Sequence, residues 1–393
     1  MSQSLSSYFS MVNNAWRNKA GEKLADYLSY RHNHSHNPNL QVSNPEAQCS
    51  DFLNSPLDEV VAAHLRCINE MKKKNYNSAY EHQTVLVQNL TKVFQGLRDE
   101  NWLLPAVNGV CLELRMVATH LMKQPGTGTK PLEKAAECLM ACFRICTADN
   151  RTSEHDTKKW GMMSLVNQLF KVYFRINKLH LMKPLIRAID SSPLKDRFSL
   201  SQQITYRYFV GRMAMFYSDY STANEYLTYA FTECHVMSKK NKRWILLNLV
   251  PVKILLGYMP TREVLKKYDL LQLWEVVVAV KRGCISELSN AMQQHQTFFI
   301  KSGIYLIIEK LKIITYRNLA KKVYLFVKTP QMSMLTLLVA LQLMDNTSIE
   351  LEEAHCILAN LINEGKVKGY ISIQHQKVVL SKIDPFPKLT SLN

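Results

Sequence analysis

Leu351-Glu-Glu-Ala-His-Cys-Ile-Leu-Ala-Asn-Leu-Ile-Asn363 is followed by Glu364-Gly365. The chain then runs Lys366-Val-Lys-Gly-Tyr-Ile-Ser-Ile-Gln-His-Gln-Lys-Val-Val-Leu380. The first stretch spaces its apolar residues as an amphipathic helix, which stops at Glu364-Gly365. The second reads as two short β-rich strands about a polar turn at Gln374-His375-Gln376. Upstream, from Leu57, the pattern is helix after helix with short breaks. A helix and then a hairpin, after a long helical chain, is the outline of a winged helix closing a helical array.

Composition agrees with a helical chain. Of 393 residues 47% are hydrophobic, enough for a large core, while 12 Gly and 13 Pro are few for a sheet-rich or disordered chain. No apolar run reaches the roughly 18 residues of a membrane span. The longest, 244–256 and 323–343, are interrupted by Asn248, Lys253, Lys328 and Pro330. The first residues lack a basic flank followed by an apolar block, so no secretory signal is expected, and the protein reads as soluble and intracellular. The 9 cysteines form no close CxxC pair and read as reduced, buried thiols.

The net charge of +17 is unevenly placed. Residues 1–150 hold 15 Lys and Arg against 14 Asp and Glu, residues 151–300 hold 22 against 11, and residues 301–393 hold 12 against 7. A surface of this kind attracts polyanions, whether nucleic acid or a strongly acidic protein.

Residues 1–30 read as an amphipathic helix pair and residues 31–57 as a polar loop. Two later breaks share a form: Lys74-Asn-Tyr76-Asn-Ser-Ala79 and Asp219-Tyr220-Ser-Thr-Ala223 each place a Tyr three residues before an Ala. The small residue lets neighbouring helices approach closely, as in tetratricopeptide-like hairpins, although no strict 34-residue period is kept. Asn177-Lys-Leu179 is a weaker turn of the same kind. Met237–Trp244 reads as a basic loop. Further on, Thr261 caps a short helix, a central helix ends at Gly283, and helices are expected over 286–299 and 303–314. Thr315 is expected to cap 316–328, and Thr347 or Ser348 the helix ending at Asn363. The expected fold class is all-α: a TPR-like helical-hairpin superhelix over 1–300, capped by a C-terminal winged helix with a small β-wing over 301–384. An irregular tail follows over 385–393, the two bodies stacking end to end.

Few motifs carry chemistry. His32, His34 and His36 alternate, and three imidazoles can bind a metal, yet no carboxylate or Cys anchors them, so a solvated loop is the preferred reading. Cys138, Cys142 and Cys146 share a helix face, but the outer two lie about 12 Å apart along the axis, so one ion cannot reach all three. Gly126-Thr-Gly128-Thr-Lys130 lacks the spacing of a phosphate loop. No catalytic constellation and no cofactor motif is found, so an enzyme is not expected.

Three basic clusters remain: Lys239, Lys240, Lys242 and Arg243; Lys310, Lys312, Arg317, Lys321 and Lys322; and Lys366, Lys368, His375, Lys377 and Lys382 on the wing. Lys366 and Lys368 alternate, which puts them on one face of the first wing strand with Tyr370. Cations beside an aromatic suit phosphate contact and base stacking. Lysines on an exposed hairpin also guard sheet edges and keep it soluble. Both readings of the wing stand.

Lys158-Lys-Trp-Gly-Met, Leu165-Val-Asn-Gln-Leu-Phe-Lys, Lys183-Pro-Leu-Ile-Arg-Ala-Ile-Asp-Ser-Ser192, Glu309-Lys-Leu-Lys-Ile-Ile-Thr-Tyr-Arg-Asn-Leu319 and Val367-Lys-Gly-Tyr-Ile-Ser372 resemble the PCI-domain-containing protein 2 family, over nearly the whole chain. The resemblance implies a PCI module and a non-enzymatic subunit of the nuclear TREX-2 complex, which couples transcription to mRNA export at the nuclear pore, with the cytoplasm as a second compartment. It also implies a large helical scaffold partner of the Sac/GANP type and a small acidic partner of the Dss/Sem type. Sequence-independent contact with RNA or DNA is the third implication. A pure assembly module, its wing paired with another winged helix, is the competing expectation.

Overall fold

The computed structural model describes residues 4–97, 100–151, 154–345 and 349–391. The chain divides into two compact units, residues up to Tyr206 and residues from Arg207 onward. The first holds α1 (Leu5–Arg17), α2 (Gly21–Tyr27), α3 (Pro45–Phe52), α4 (Leu57–Lys72), α5 (Tyr76–Gly96), α6 (Leu104–Leu121), α7 (Lys130–Thr147), α8 (Met162–Arg175) and α9 (Met182–Asp190); the division falls within α10 (Leu200–Phe216). The second holds α11 (Tyr220–Glu233), α12 (Lys239–Leu255), α13 (Arg262–Lys267), α14 (Gln272–Arg282), α15 (Ile285–Gln294), α16 (Gln296–Ser302), α17 (Tyr305–Lys310) and α18 (Lys312–Val327). It closes with β1 (Gln331–Ser333), α19 (Met334–Asp345), α20 (Leu351–Asn363), β2 (Gly369–Ser372) and β3 (Lys377–Leu380). No helix among the described residues is long and apolar enough to cross a membrane. The all-α hairpin array closed by a winged helix is the fold class expected from the sequence.

The shared turns have a common cause. Lys74, Asn177 and Ser218 each take a left-handed conformation, with φ of 55–63°. In two of them the next residue caps the following helix: Asn75 accepts from the Ser78 amide at 3.4 Å, and Asp219 from the Thr222 amide at 3.1 Å. Ala79 and Ala223 are then fully buried, as the close approach of hairpin helices requires.

Several expectations need correction. The polar segment 31–57 is not a loop throughout. Pro45 opens α3, where its missing N–H costs nothing, and Phe52 of that helix stacks on Phe9 at 5.6 Å. Met237–Trp244 is not a loop either, because Lys239 already begins α12. The helix expected over 286–299 breaks at His295, which ends α15 and starts α16. Thr315 caps nothing. It lies inside α18, fully buried, and its hydroxyl donates to the Leu311 carbonyl one turn back at 2.9 Å. Thr347 and Ser348 lie outside the described residues. The residue that caps α20 is Glu350, whose amide donates to Glu353 Oε2 at 3.4 Å.

The wing is a three-stranded antiparallel sheet in the order β1-β3-β2. Its register places Met332 and Ile371 beside Val378 on the inner face, over a core that includes Leu319, Leu337 and Leu358. The strand period of two then sends Tyr370, Ser372, Lys377 and Val379 to the outer face. Gly283 ends α14 with φ +70°, and a Cβ there would stand 2.7 Å from the Leu319 amide, so α14 meets α18 at a point only glycine fits.

The tail is ordered. Phe386 is buried against Tyr324, ring centroids 5.6 Å apart. Arg317, 6% exposed, donates to the carbonyls of Phe386 at 3.1 Å and Pro387 at 2.7 Å. The Arg317→Met variant keeps the apolar stem but strips both carbonyls of their donor. It is expected to destabilise the second unit by about 2–3 kcal/mol, read as a fall in the denaturant midpoint, with faster proteolysis in 385–391. An unchanged midpoint would mean that Phe386 burial alone holds the tail.

Candidate nucleic-acid interface

The structure sorts the predicted cations by what they already bond. Lysine and arginine near a helix end or turn serve backbone carbonyls. Lys242 is buried, its ammonium 2.7 Å from the Phe231 carbonyl in the last turn of α11 and 4.5 Å from the centre of the Phe231 ring. Arg243 donates to the Asp269 carbonyl at 3.1 Å. Lys322, exposed along its stem, donates to the Arg282 carbonyl at the end of α14 at 2.8 Å. Arg317 holds the tail. Lys242 and Arg317 are therefore withdrawn from any solvent-facing site, contrary to the expectation for them.

A second group lines an open groove of about 530 Å³ that includes Lys310, Lys312, Lys366, Tyr316, Ile357 and Leu361. Lys310 donates to the Ser218 hydroxyl at 2.7 Å, and Lys366 is ion-paired with Glu364. Glu309 and Glu364 stand on the same walls, so the groove is of mixed charge over an apolar floor. Lys321 is half-buried on α18. Lys366 and Lys368 do not share a strand face, because β2 starts only at Gly369. The Lys368 amide is taken by the Pro385 carbonyl at 2.9 Å, one residue before the strand begins.

What remains exposed on the wing is Lys368, His375, Lys377 and Lys382. Tyr370, 62% exposed, lies on the outer face of the sheet with Lys377, one residue pair further along. The aromatic and the cation expected together are thus together, through Lys377 rather than Lys366. Lys239 and Lys240 are also exposed, at the start of α12.

The helix before the wing points away from base reading. α20 carries Glu352 and Glu353 in its first turn and no Lys or Arg anywhere along it. A helix so charged is repelled by the phosphates flanking a major groove, which leaves the wing face as the surface suited to a polyanion. Sequence reasoning missed two features here. β1 is only three residues long, too short for an alternation signal. Leu335, Val339 and Leu343 form an exposed stripe on α19, but that helix is apolar all round, so its sequence does not say which side is covered.

These wing residues fall within a match to the PCI domain at residues 292–382. A zebrafish (Danio rerio) PCI domain-containing protein 2 is 51% identical over 394 residues, covering 99% of each chain. A Xenopus laevis protein of that name is 51% identical over 393 residues, covering 99% of this chain and 98% of the other. A Drosophila melanogaster homolog is 50% identical over 390 residues, covering 98% and 99%. The chain belongs to the PCI domain-containing protein 2 family. Within that family frame it is a PCI-fold scaffold.

The histidine loop of this family member is solvated only in part, since His32 and His36 are exposed and His34 is not. His34 is buried under Tyr8, its Nε2 2.9 Å from His64 Nε2 and its Nδ1 3.0 Å from His32 Nδ1. Among the described residues no cluster of His, Cys, Asp or Glu is arranged to hold a metal. Cys138, Cys142 and Cys146 are buried, with Cys142 Sγ 3.7 Å from Cys111 Sγ. Burial, followed by the neighbouring imidazole, pushes His34 down to about 4 and His64 well below its ordinary value. Glu113 holds the adjacent Ser29 hydroxyl at 2.5 Å and the Tyr30 amide at 3.2 Å, yet burial pushes it up to about 7.

The signs of these shifts differ. For the histidines the unfolded chain takes protons first, so folding stability falls as pH drops from about 6.5 toward 4. For Glu113 the folded chain holds its proton longer, so stability falls as pH rises from 4.5 toward 7. Denaturant midpoints against pH are expected to lose the acid-side fall in a His34→Gln/His64→Gln chain and the opposite slope in Glu113→Gln. Unchanged profiles would show that neither group is buried in its neutral form.

Proposed function

We propose that this chain is a non-enzymatic scaffold subunit of the nuclear TREX-2 complex that also grips nucleic acid through the outer face of its wing, without sequence preference. In this reading it couples transcription to mRNA export at the nuclear pore. The observation that carries nucleic-acid contact is the exposed Tyr370 on one sheet face with Lys377, flanked by exposed Lys368 and Lys382. A flat ring offers every base the same stacking surface, and lysines supply phosphate contacts that carry no sequence information. The absence of any cation on α20 supports sequence independence for the same reason.

The partners of this reading are a large helical scaffold of the Sac/GANP type and a small acidic protein of the Dss/Sem type. The groove lined by Lys310, Lys312 and Lys366, with Ile357 and Leu361 beneath, suits an extended segment that alternates acidic and apolar side chains. A second reading, assembly without nucleic acid, is favoured by the exposed stripe Leu335, Val339 and Leu343. An apolar helix face of this kind is the usual core of a protein interface.

The test is RNA binding at several salt concentrations, by the chain alone and by the chain co-expressed with a scaffold fragment and the acidic partner. Lys368→Glu/Lys377→Glu/Lys382→Glu is expected to lower the slope of log K against log salt by about two units on single strands. An unchanged slope, with Val339→Glu/Leu343→Glu abolishing co-purification of the scaffold, would replace the nucleic-acid reading with the assembly one.

A further inference from the structure

The start of α12 meets a part of the chain that sequence reading did not connect to it. Arg243 reaches the turn after α13, its guanidinium 3.1 Å from the Asp269 carbonyl and 3.4 Å from Asp269 Oδ2. Tyr268 in that turn packs edge-on against Phe231, ring centroids 5.8 Å apart, and Phe231 also carries the buried Lys242 ammonium. Asp269 itself is held in a left-handed conformation, φ 54°. These contacts pin the end of α13 beside the start of α12. Lys266 and Lys267 thereby join Lys239 and Lys240 on one ledge, and all four are exposed.

Trp244 completes the ledge. It follows Lys240 by four residues, so the two share one face of α12. Its indole is 49% exposed and stacks on no other ring among the described residues.

We infer that this ledge is a second binding surface for single-stranded nucleic acid, separate in sequence from the wing, with Lys239, Lys240, Lys266 and Lys267 on phosphates and Trp244 under a base. Three features favour nucleic acid over an acidic protein. The cations are lysines, compact point charges that suit phosphates in any order. The aromatic offers a flat open face rather than the wall of a cavity, and a base can use that face whatever its identity. Asp269, the carboxylate of the turn, already answers Arg243, and the others nearby in sequence, Glu233 and Glu263, leave the lysines in excess. The inference rests on the nucleic-acid reading of this protein but not on the wing.

The experiment uses the full chain, an oligouridylate of about 20 nucleotides, an RNA duplex of the same length and polyglutamate as probes. Lys239→Ala/Lys240→Ala/Lys266→Ala/Lys267→Ala is expected to lower the salt slope on the single strand by roughly two to three units. Trp244→Ala is expected to weaken single-strand binding roughly tenfold and leave duplex binding unchanged, and Trp244→Phe to restore most of the loss. Thermal melts accompany each variant, since the replaced side chains are exposed and the fold should survive. An unchanged slope in a normally melting lysine variant overturns the proposal. Equal weakening of single strand and duplex by Trp244→Ala overturns it too. Polyglutamate binding with the same lysine dependence, and no effect of Trp244→Ala, would make the ledge a docking surface for an acidic protein instead. The wing variant is measured alongside: a loss there and none here defeats the ledge alone, and the converse defeats the wing alone.

Discussion

A guanidinium cannot be buried without acceptors, and Arg317 is buried. Desolvating that charge costs several kcal/mol unless hydrogen bonds replace the lost water. Asn318 Oδ1 takes one nitrogen, and the other acceptors are two consecutive tail carbonyls, Phe386 and Pro387, so the tail has to lie across α18. Once it does, Phe386 fills the winged-helix core beside Tyr324, and the Pro385 carbonyl is in place to take the Lys368 amide. That bond stands just before β2, whose register with β3 decides which residues of the wing face outward. The outer face, with its tyrosine and lysine, follows from a charge placed inside.

The same economy governs the other cations. Helix ends leave carbonyls unpaired, and Lys242 and Lys322 answer those of α11 and α14. A basic residue in this array is therefore as often a cap as a contact. What distinguishes the wing and the α12–α13 ledge is that their lysines stay exposed beside aromatic rings with an open side, Tyr370 and Trp244.

Much of the fold was legible. The hairpin turns after Lys74 and Ser218 announce themselves by capping residues and by the Tyr–Ala spacing, because those signals are local, while the turn at Asn177 has neither. Thr261 starts a helix through its hydroxyl, and Gly283 ends one through the left-handed backbone that its missing side chain allows. What was illegible depends on partners far along the chain. Lys366 looks like a strand residue by alternation, yet the strand starts three residues later because the tail takes the intervening amide. Thr315 looks like a cap, but a buried threonine can bond one turn back and leave its helix unbroken. Lys266 and Lys267 went unnoticed because nothing near them in sequence reveals the Arg243–Asp269 contact. The family resemblance supplied a scaffold role that no motif carries, since the chemistry of a scaffold is its shape.

The charge on α20 has a kinetic side. Glu352 and Glu353, with Asp345 beside them, border one groove of the winged helix, while Lys368, Lys377 and Lys382 stand on and around the sheet. The small module is therefore an electric dipole. A long anion drifting toward it feels a torque before it feels a contact, over the roughly 8–10 Å that physiological salt allows. In the nucleic-acid reading proposed above, it arrives already turned, with the acidic helix facing away. In that reading, encounters in the wrong orientation are rejected at a distance, so the surface gains speed from acidic side chains that never touch the anion.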